Sequence, residues 1–360
     1  MYKYINIQNS PLKKKIIRLI ETNGSMRLSE FMEICLYNYD YGYYSNSSVV
    51  GRKGDFITSP EISQVFGELI SLNFYNNALL SNLKEVNLVE LGPGNGTLML
   101  DMLKTFSKIK TNHIQFNPFL YEKSDQLKKI QRKNLIKFKC NWINSLSDIP
   151  NKPTYFIANE FFDSLPINQF ISNDGSWHER KIEVKNNDFC FVLGGKILDK
   201  IDDNPYPNGK IIEQSVNTQS ILSKIFHLIL ENKGALIVID YGQIYENLNY
   251  KNTLQGVKNH QATDVFQNIG HTDLSSWVNF SDFIKNIPKG IIYRGPITQK
   301  EFLINLGIKN RFEDLGLNKS ASERRNLFNE FDRLVSDSHM GQAFKVLGMQ
   351  SENLNILEGF

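Results

Sequence analysis

Residues 86–96 read VNLVELGPGNG, a short apolar run that stops in a turn with glycine at three alternate positions, Gly92, Gly94 and Gly96. Directly behind it, TLMLDMLKTFSKI at 97–109 carries apolar residues at helical spacing. Strand, glycine turn and helix therefore follow one another without a linker. The alternation continues downstream. NPFLYEKS (117–124) reads as a second strand ending at Glu122, and DQLKKIQRKN (125–134) as a polar-faced helix. TYFIANEFFDSLP (154–166) is a third strand running into a polar turn, and GALIVIDYG (234–242) a fourth. Strands alternating with helices predict an α/β fold, a parallel sheet covered on both faces.

Outward from that centre the pattern changes twice. Residues 11–38 predict two helices, the first opened by Pro11 and stopped by Gly24, the second capped by Ser29. After a tyrosine-rich turn, Thr58 or Ser59 can cap a helix starting at Pro60, with Glu61 in its first turn and FGELISLNFYNNAL as its body. Residues 1–84 thus read as an N-terminal helical cap region, and 85–360 as the α/β domain. Within the latter, 167–210 holds strand-like runs around an Asp-Gly turn signal, which predicts a small antiparallel insertion. The region 241–280 is long, polar and poorly periodic. It follows the end of a sheet strand, which suits a functional loop on the substrate side. The tail predicts a helix (SDFIKNI), a short strand (GIIYRG), further helices and a closing strand, AFKVLGMQ.

Composition limits the rest. The 360 residues are 41% hydrophobic and 22% charged, enough for a true core and far from a disordered composition. Lys+Arg 41 against Asp+Glu 38 leaves a net charge of +3, which argues against a polyanion-coating surface. Apolar runs are strand-sized, too short for the roughly 18 residues of a membrane-spanning helix, so no membrane insertion is expected. Three isolated cysteines fit a reducing interior and support neither a disulfide framework nor zinc. The N-terminus has a basic patch but no cleavable apolar core. It reads as part of the domain, so a cytoplasmic, bacterial location is expected. The six histidines show no ligand spacing, so no metal is expected.

The glycine turn has two readings, a crossover turn or a site where backbone amides approach a ligand closely. Two acids favour a nucleoside-containing ligand. Glu90 just before the turn repels a pyrophosphate but suits a cationic or hydroxyl-bearing group. Glu122 ends the next strand, where a ribose acceptor is expected. A P-loop is excluded by the missing G-K-S/T ending, and Thr97 breaks the G-x-G-x-x-G spacing of a nicotinamide site.

At the third strand's end, Asn159 can donate or accept, and Glu160 and Asp163 present two carboxylates at i, i+3. These converge if the chain turns helically there, and such a pair can fix a planar guanidinium by bidentate bonds. The alternative is a strand cap whose acids solvate the turn. GDFITSP (54–60) is either a turn and helix cap, with Asp55, Thr58 and Ser59 bonding backbone amides, or a cover that closes the site against water. Glu61 stands beside it. Asp240 and Tyr241 end a strand at the ligand-binding face, and Gln255, Gly256 and His260 follow in the polar region. A lone histidine, His260 or His271, is more often a surface or structural residue than a substrate contact.

The glycine turn resembles motif I of class I S-adenosylmethionine-dependent methyltransferases, and nearly the whole chain resembles the MidA family. The matching blocks, in order, are GDFITSPEISQVFGELI (54–70), VELGPGNGTL (89–98), NEFFDSLP (159–166), TLQG (253–256), HTDLSSWVNFSDF (271–283), TQKEFL (298–303) and MGQAFKVLG (340–348). The resemblance implies a class I, Rossmann-like methyltransferase fold: a mostly parallel seven-stranded sheet whose closing strand is antiparallel, an N-terminal helical cap and a small antiparallel insertion. It implies S-adenosylmethionine as cofactor. Gly92, Gly94 and Gly96 would then hold its methionine and ribose part, Glu90 would lie near the amino acid moiety, Glu122 would take the ribose hydroxyls and Trp142 would contact adenine. Thr58 and Ser59 belong to the cofactor side of the cover, with Asp55, Glu61, Asp240, Tyr241, Gln255 and His260 on the substrate side. Mitochondrial members of the family are complex I assembly factors that methylate a protein arginine, which implies a protein substrate, a NADH dehydrogenase subunit, and symmetric dimethylation. NEFF stands where nucleobase amino methyltransferases have N-P-P-Y, so nucleic acid is not expected as substrate. The rivals are methylation of another amine or a small molecule, and an assembly factor that binds cofactor without turnover.

Overall fold

The computed structural model describes residues 10–45, 57–109, 113–197, 207–244 and 252–360. Helices α1 (Pro11–Asn23) and α2 (Leu28–Tyr37) flank the two-residue strand β1 (Met26–Arg27). Helices α3 (Ser59–Ile62) and α4 (Gln64–Leu80) lead into β2 (Glu85–Leu91), α5 (Thr97–Lys108), β3 (Gln115–Tyr121), α6 (Asp125–Asn134), β4 (Asn141–Ile143) and β5 (Thr154–Asn159). Next come β6 (Ile167–Asn173), β7 (Ser176–Lys185), β8 (Asp188–Lys196) and β9 (Ile211–Ser215), after which α7 (Thr218–Asn232) returns the chain to β10 (Gly234–Gln243). The remainder is β11 (Gln255–Lys258), β12 (Gln261–Thr263), β13 (Asp273–Ser275), β14 (Val278–Asn279), α8 (Phe280–Lys285) and β15 (Ile291–Thr298). Helices α9 (Gln299–Asn305), α10 (Ile308–Gly316), α11 (Ala321–Val335) and α12 (Met340–Ala343) precede the closing β16 (Phe344–Ser351).

These elements form two compact units. One is drawn from residues within 1–49, 163–219 and 245–277, the other from 50–162, 220–244 and 278–360. The second unit holds the main sheet, ordered β15-β16-β10-β5-β2-β3-β4 among the described residues, with β14 beside the end of β10. The pairs β10–β5, β5–β2, β2–β3 and β3–β4 are parallel, whereas β16 runs antiparallel to both β10 and β15. The parallel strands are those that the alternation predicts, and the antiparallel closing strand is the one that the family resemblance implies. The central strands are buried on both faces, so β5 is buried along its whole length and β2 from Val86 onward. Helix α5 packs Leu98, Met99, Met102, Leu103 and Phe106 into the same core as Val65, Phe66, Ile70 and Phe74 of α4.

That packing shifts the division expected at residues 84 and 85. Helices α3 and α4 are core elements of the sheet unit, because their apolar faces are buried against its helices. Helices α1 and α2 belong instead with the β6–β9 insertion, where β1 pairs with β7 and extends the antiparallel sheet. Phe31 of α2 packs edge-on against Phe189 of β8 and against Phe266, and these rings anchor that unit's own core. The insertion reaches Ser215, slightly past the expected 210.

Two local expectations are corrected. The helix expected to run on from Pro60 is broken at Ser63, whose extended backbone ends α3 and whose hydroxyl caps α4 through the Val65 amide. Within the 241–280 stretch, β11, β12 and β13 form a three-stranded antiparallel sheet, ordered β12-β11-β13, where a polar loop was expected. Its strands are only three or four residues long, too short to show a period. Trp142 lies on β4, an edge strand whose three residues carry no sequence signal of their own. No helix among the described residues is long and apolar enough to cross a membrane.

Candidate cofactor and active site

The ends of β2, β3, β4 and β5 carry the candidate site, all within the sheet unit. Parallel strands deliver their C-terminal ends to one edge, and there the glycine turn after β2 takes positive φ at Gly92 (61°), Gly94 (51°) and Gly96 (80°). Gly96 is also the N-cap of α5, so the turn feeds directly into the helix N-terminus. A Cβ on Gly92 would stand 2.8 Å from the ring of Phe161, so glycine lets this turn lie against the β5 exit.

Glu90 is 4% exposed, and its Oε2 has no hydrogen-bond partner among the described residues. Burial pushes its carboxyl up to about 8, against a bond from the Met99 amide that pulls it down, with the nearby Glu122 adding to the rise. Asn159 at the end of β5 is also buried, and its Oδ1 has no hydrogen-bond partner among the described residues. Two buried acceptors without donors are costly unless a ligand supplies the donors. An amino acid head group carries the cationic N–H groups that such acceptors need, so these residues fit the methionine end of S-adenosylmethionine.

Glu122 is buried after β3, and burial raises its pKa. Its Oε1 accepts from the Ser124 amide at 2.7 Å and its Oε2 from Gln131 Nε2 at 3.2 Å. Gln131, on the inner face of α6, also donates to the Gly94 carbonyl at 2.8 Å and accepts from Trp142 Nε1 at 2.8 Å. It therefore gathers the glycine turn, Glu122 and Trp142 into one network. The Arg132 guanidinium lies over the Trp142 ring at 5.0 Å. Sequence reading passed over Gln131. Its signal is a polar residue on the inward stripe of α6 with Leu127 and Lys128.

The cover segment meets the same turn from the other side. Thr97 Oγ1 donates to Glu61 Oε1 at 2.5 Å, and Asn95 Nδ2 reaches the same oxygen at 3.4 Å. Glu61, expected on the substrate side, thus ties α3 to the glycine turn. Thr58 is the N-cap of α3 by position but makes no side-chain cap bond. Ser59 is fully buried, its hydroxyl donating to Gln299 Oε1 at 3.1 Å and its amide to Glu160 Oε1 at 3.4 Å. The capping bonds expected of these two hydroxyls are absent because α3 is a single turn packed into the core. Asp55 lies outside the described residues.

Glu160 occupies a left-handed conformation (φ 51°), its amide bonded to the Ile239 carbonyl at 2.9 Å. Its Oε1 accepts from Asn159 Nδ2 at 3.2 Å. The helical turn that would bring Glu160 and Asp163 together is therefore not formed, since a non-glycine residue at positive φ cannot continue a right-handed turn. Phe162 ends the sheet unit and Asp163 begins a segment of the other unit. There burial pushes the Asp163 carboxyl up to about 7, despite a bond from the Ser164 amide. Tyr37 donates to the Ser164 carbonyl at 3.2 Å and stacks on Tyr44 with centroids 5.4 Å apart, and both phenols are raised by burial.

The other substrate-side candidates divide between the two units. Asp240 is fully buried and spends Oδ2 on the Phe162 amide and Oδ1 on the Tyr241 amide, both at 2.9 Å. It braces the β5 and β10 exits from inside. Tyr241 packs against Phe344 with centroids 4.0 Å apart. In the antiparallel unit, Gln255 bonds Ser275 Oγ at 3.1 Å, and His260 sits exposed in the β11–β12 turn with φ 60°. Among the described residues no group of three or more metal-type side chains is found.

A family model for S-adenosyl-L-methionine-dependent methyltransferases matches residues 69–291. The chain is 31% identical to the protein arginine methyltransferase NDUFAF7, mitochondrial, of Danio rerio, over 94% of this chain and 86% of that protein. It is 30% identical to the Homo sapiens protein of the same name, over 94% of this chain and 83% of that one. Among solved structures, a Burkholderia thailandensis protein bound to S-adenosyl-homocysteine superposes with a TM-score of 0.85 at 21% identity, covering 100% of this chain and 97% of that one.

Proposed function

From the premise that the chain belongs to the MidA/NDUFAF7-related family of class I S-adenosylmethionine-dependent methyltransferases, we propose that it methylates an arginine side-chain nitrogen of a protein. The likeness to protein arginine methyltransferases along more than nine-tenths of the chain carries this reading. A NADH dehydrogenase subunit in the cytoplasm is the proposed acceptor, with symmetric dimethylation as the product. When bound, the cofactor supplies an electrophilic methyl group on a sulfonium sulfur. The chain's own residues hold and orient the groups on either side of it. Glu90 and Asn159 have buried oxygens that suit an amino acid head group, and Glu122 suits ribose hydroxyls.

A guanidinium is planar, with donors that a carboxylate can fix, and it must lose a proton as its nitrogen is alkylated. Glu160, whose left-handed backbone is tied to the Ile239 carbonyl and whose Oε1 accepts from Asn159 and Ser59, is the proposed orienting carboxylate. Such a conformation persists only where the surroundings over-determine it, and it is common at active sites. Glu160 and Asp163 are the proposed proton acceptors. A carboxyl near 7 is well matched to that task at neutral pH.

The test is transfer of labelled methyl from S-adenosylmethionine into an extract of cells lacking the gene, with mass spectrometry on any labelled band. The expected result is label on an arginine of one NADH dehydrogenase subunit, reduced about 100-fold or more by Glu160→Gln and by Asp163→Ala. Label confined to small molecules would overturn the protein-arginine reading. Cofactor binding with no label in any fraction would favour an assembly factor without turnover.

A further inference from the structure

We propose that Gln131 is a positioning residue for the cofactor: one buried side-chain amide sets the spacing of the glycine turn, Glu122 and Trp142, and so the affinity for the adenosyl portion. The inference rests on the reading of those three features as the cofactor cradle. No solvent reaches Gln131. Its two N–H donors go to the Gly94 carbonyl and Glu122 Oε2, and its oxygen takes the indole N–H. Turning the amide over would set an oxygen against a carbonyl and a carboxylate, and an NH2 against an N–H, so only one orientation is satisfied. The three partners come from three different segments, after β2, after β3 and on β4, and this one side chain bonds to all of them.

The chemistry of position 131 is specific. Asparagine is a methylene shorter, methionine keeps the length but has no donor, and an ionised glutamate has acceptors only. Gln131→Glu would place a second carboxylate against Glu122 and the Gly94 carbonyl. The charged and titratable neighbours are Glu90 on β2, Lys128 on α6, Arg132 against Trp142, and Cys140, which senses the Glu90 charge. Lys128 is directed to Asn144 at 2.9 Å and Asp125 at 3.5 Å. Only at lower pH, with one proton shared between the two acids, does the substituted carboxyl regain a donor for Glu122.

The test is calorimetric titration of the full-length protein with S-adenosyl-homocysteine at pH 6 and pH 8, for wild type, Gln131→Glu and Gln131→Met, with melting temperatures measured alongside. At pH 8 both variants are expected to bind roughly 10–100-fold more weakly, one to two hydrogen bonds to charged or buried groups. The Gln131→Glu deficit relative to wild type should shrink toward pH 6. The Gln131→Met deficit should stay level or grow, because Glu122 has lost a donor that favours its ionised form. A loss of packing alone would move both variants equally at both pH values, and that outcome, or affinities within about twofold of wild type, would overturn the proposal. If Gln131→Glu does not fold, the near-isosteric Gln131→Met decides by its affinity at pH 8. A wild-type protein that fails to bind the ligand would instead sink the cradle reading itself.

Discussion

Glu90 combines features that rarely coexist in a finished core. It is ionisable, almost wholly buried, bonded to the Met99 amide and left with one orphaned oxygen. With its pKa pushed up to about 8, the folded, ligand-free protein holds a proton there that the unfolded chain has already released above the ordinary carboxyl range. The native state thus binds more protons across that window, so ligand-free stability falls as pH rises from about 5 to 8. Glu90→Gln should flatten this slope, by on the order of a few kcal/mol over the window. A cationic head group beside Glu90 reverses the preference and expels the proton. Titration with S-adenosyl-homocysteine at pH 7, in two buffers of different ionisation heat, should show release of about one proton by wild type and almost none by Glu90→Gln. Equal proton release by both proteins would remove Glu90 from the cofactor site.

The glycine turn is held from two sides, by α3 through Glu61 and by α6 through Gln131. The turn, its strand and its helix were legible because they are contiguous: buried run, three glycines, amphipathic helix. Glu90 and Glu122 were legible because strand ends are predictable places. Gln131 and the roles of Glu61 and Asp240 were not, because each depends on a partner distant in sequence. Glu61 reaches Thr97, and Asp240 reaches the Phe162 amide. The break at Ser63 was hidden for a similar reason, since 60–79 reads as one helix until tertiary packing fixes α3 separately. The bond from Thr97 to Glu61 spans α3 and the first residue of α5, so it couples the cover segment to the turn. Glu61→Ala leaves Thr97 and Asn95 without this acceptor and should cost about 1–3 kcal/mol in urea denaturation. It should also weaken cofactor binding severalfold, because the turn loses one of its two clamps. A stability loss with unchanged affinity would confine Glu61 to holding α3.

At the scale of the whole chain, the two units divide the proposed labour. The cofactor candidates with described positions, Thr58, Ser59, Glu90, the three glycines, Glu122, Gln131 and Trp142, all belong to the sheet unit. The substrate-side and acid–base candidates are shared: Glu61, Glu160, Asp240 and Tyr241 lie in the sheet unit, and Asp163, Gln255 and His260 in the unit built from α1, α2 and the antiparallel sheets. The chain leaves the sheet unit after Phe162 and again after Ile244, each time just beyond the end of a central parallel strand. Insertion at those points leaves the strand order intact, so the sheet unit retains the complete class I topology without the inserted segments. The core of the unit built from α1, α2 and the antiparallel sheets rests on the rings of Phe31, Phe189, Phe191 and Phe266. Phe31→Ala removes the fully buried member that touches two of the others and should cost that unit about 3–5 kcal/mol. Because each unit has its own core, unfolding need not be two-state, and a single midpoint would be the wrong readout. Hydrogen exchange resolved by segment should show faster exchange in α2 and β6–β8, with β2, β5 and β10 unchanged. Affinity for S-adenosyl-homocysteine should stay within about threefold of wild type, while methyl transfer to protein falls by at least tenfold. If affinity and transfer fell together, cofactor binding would depend on the antiparallel unit, and the division of labour read from the chain's two exits would not hold.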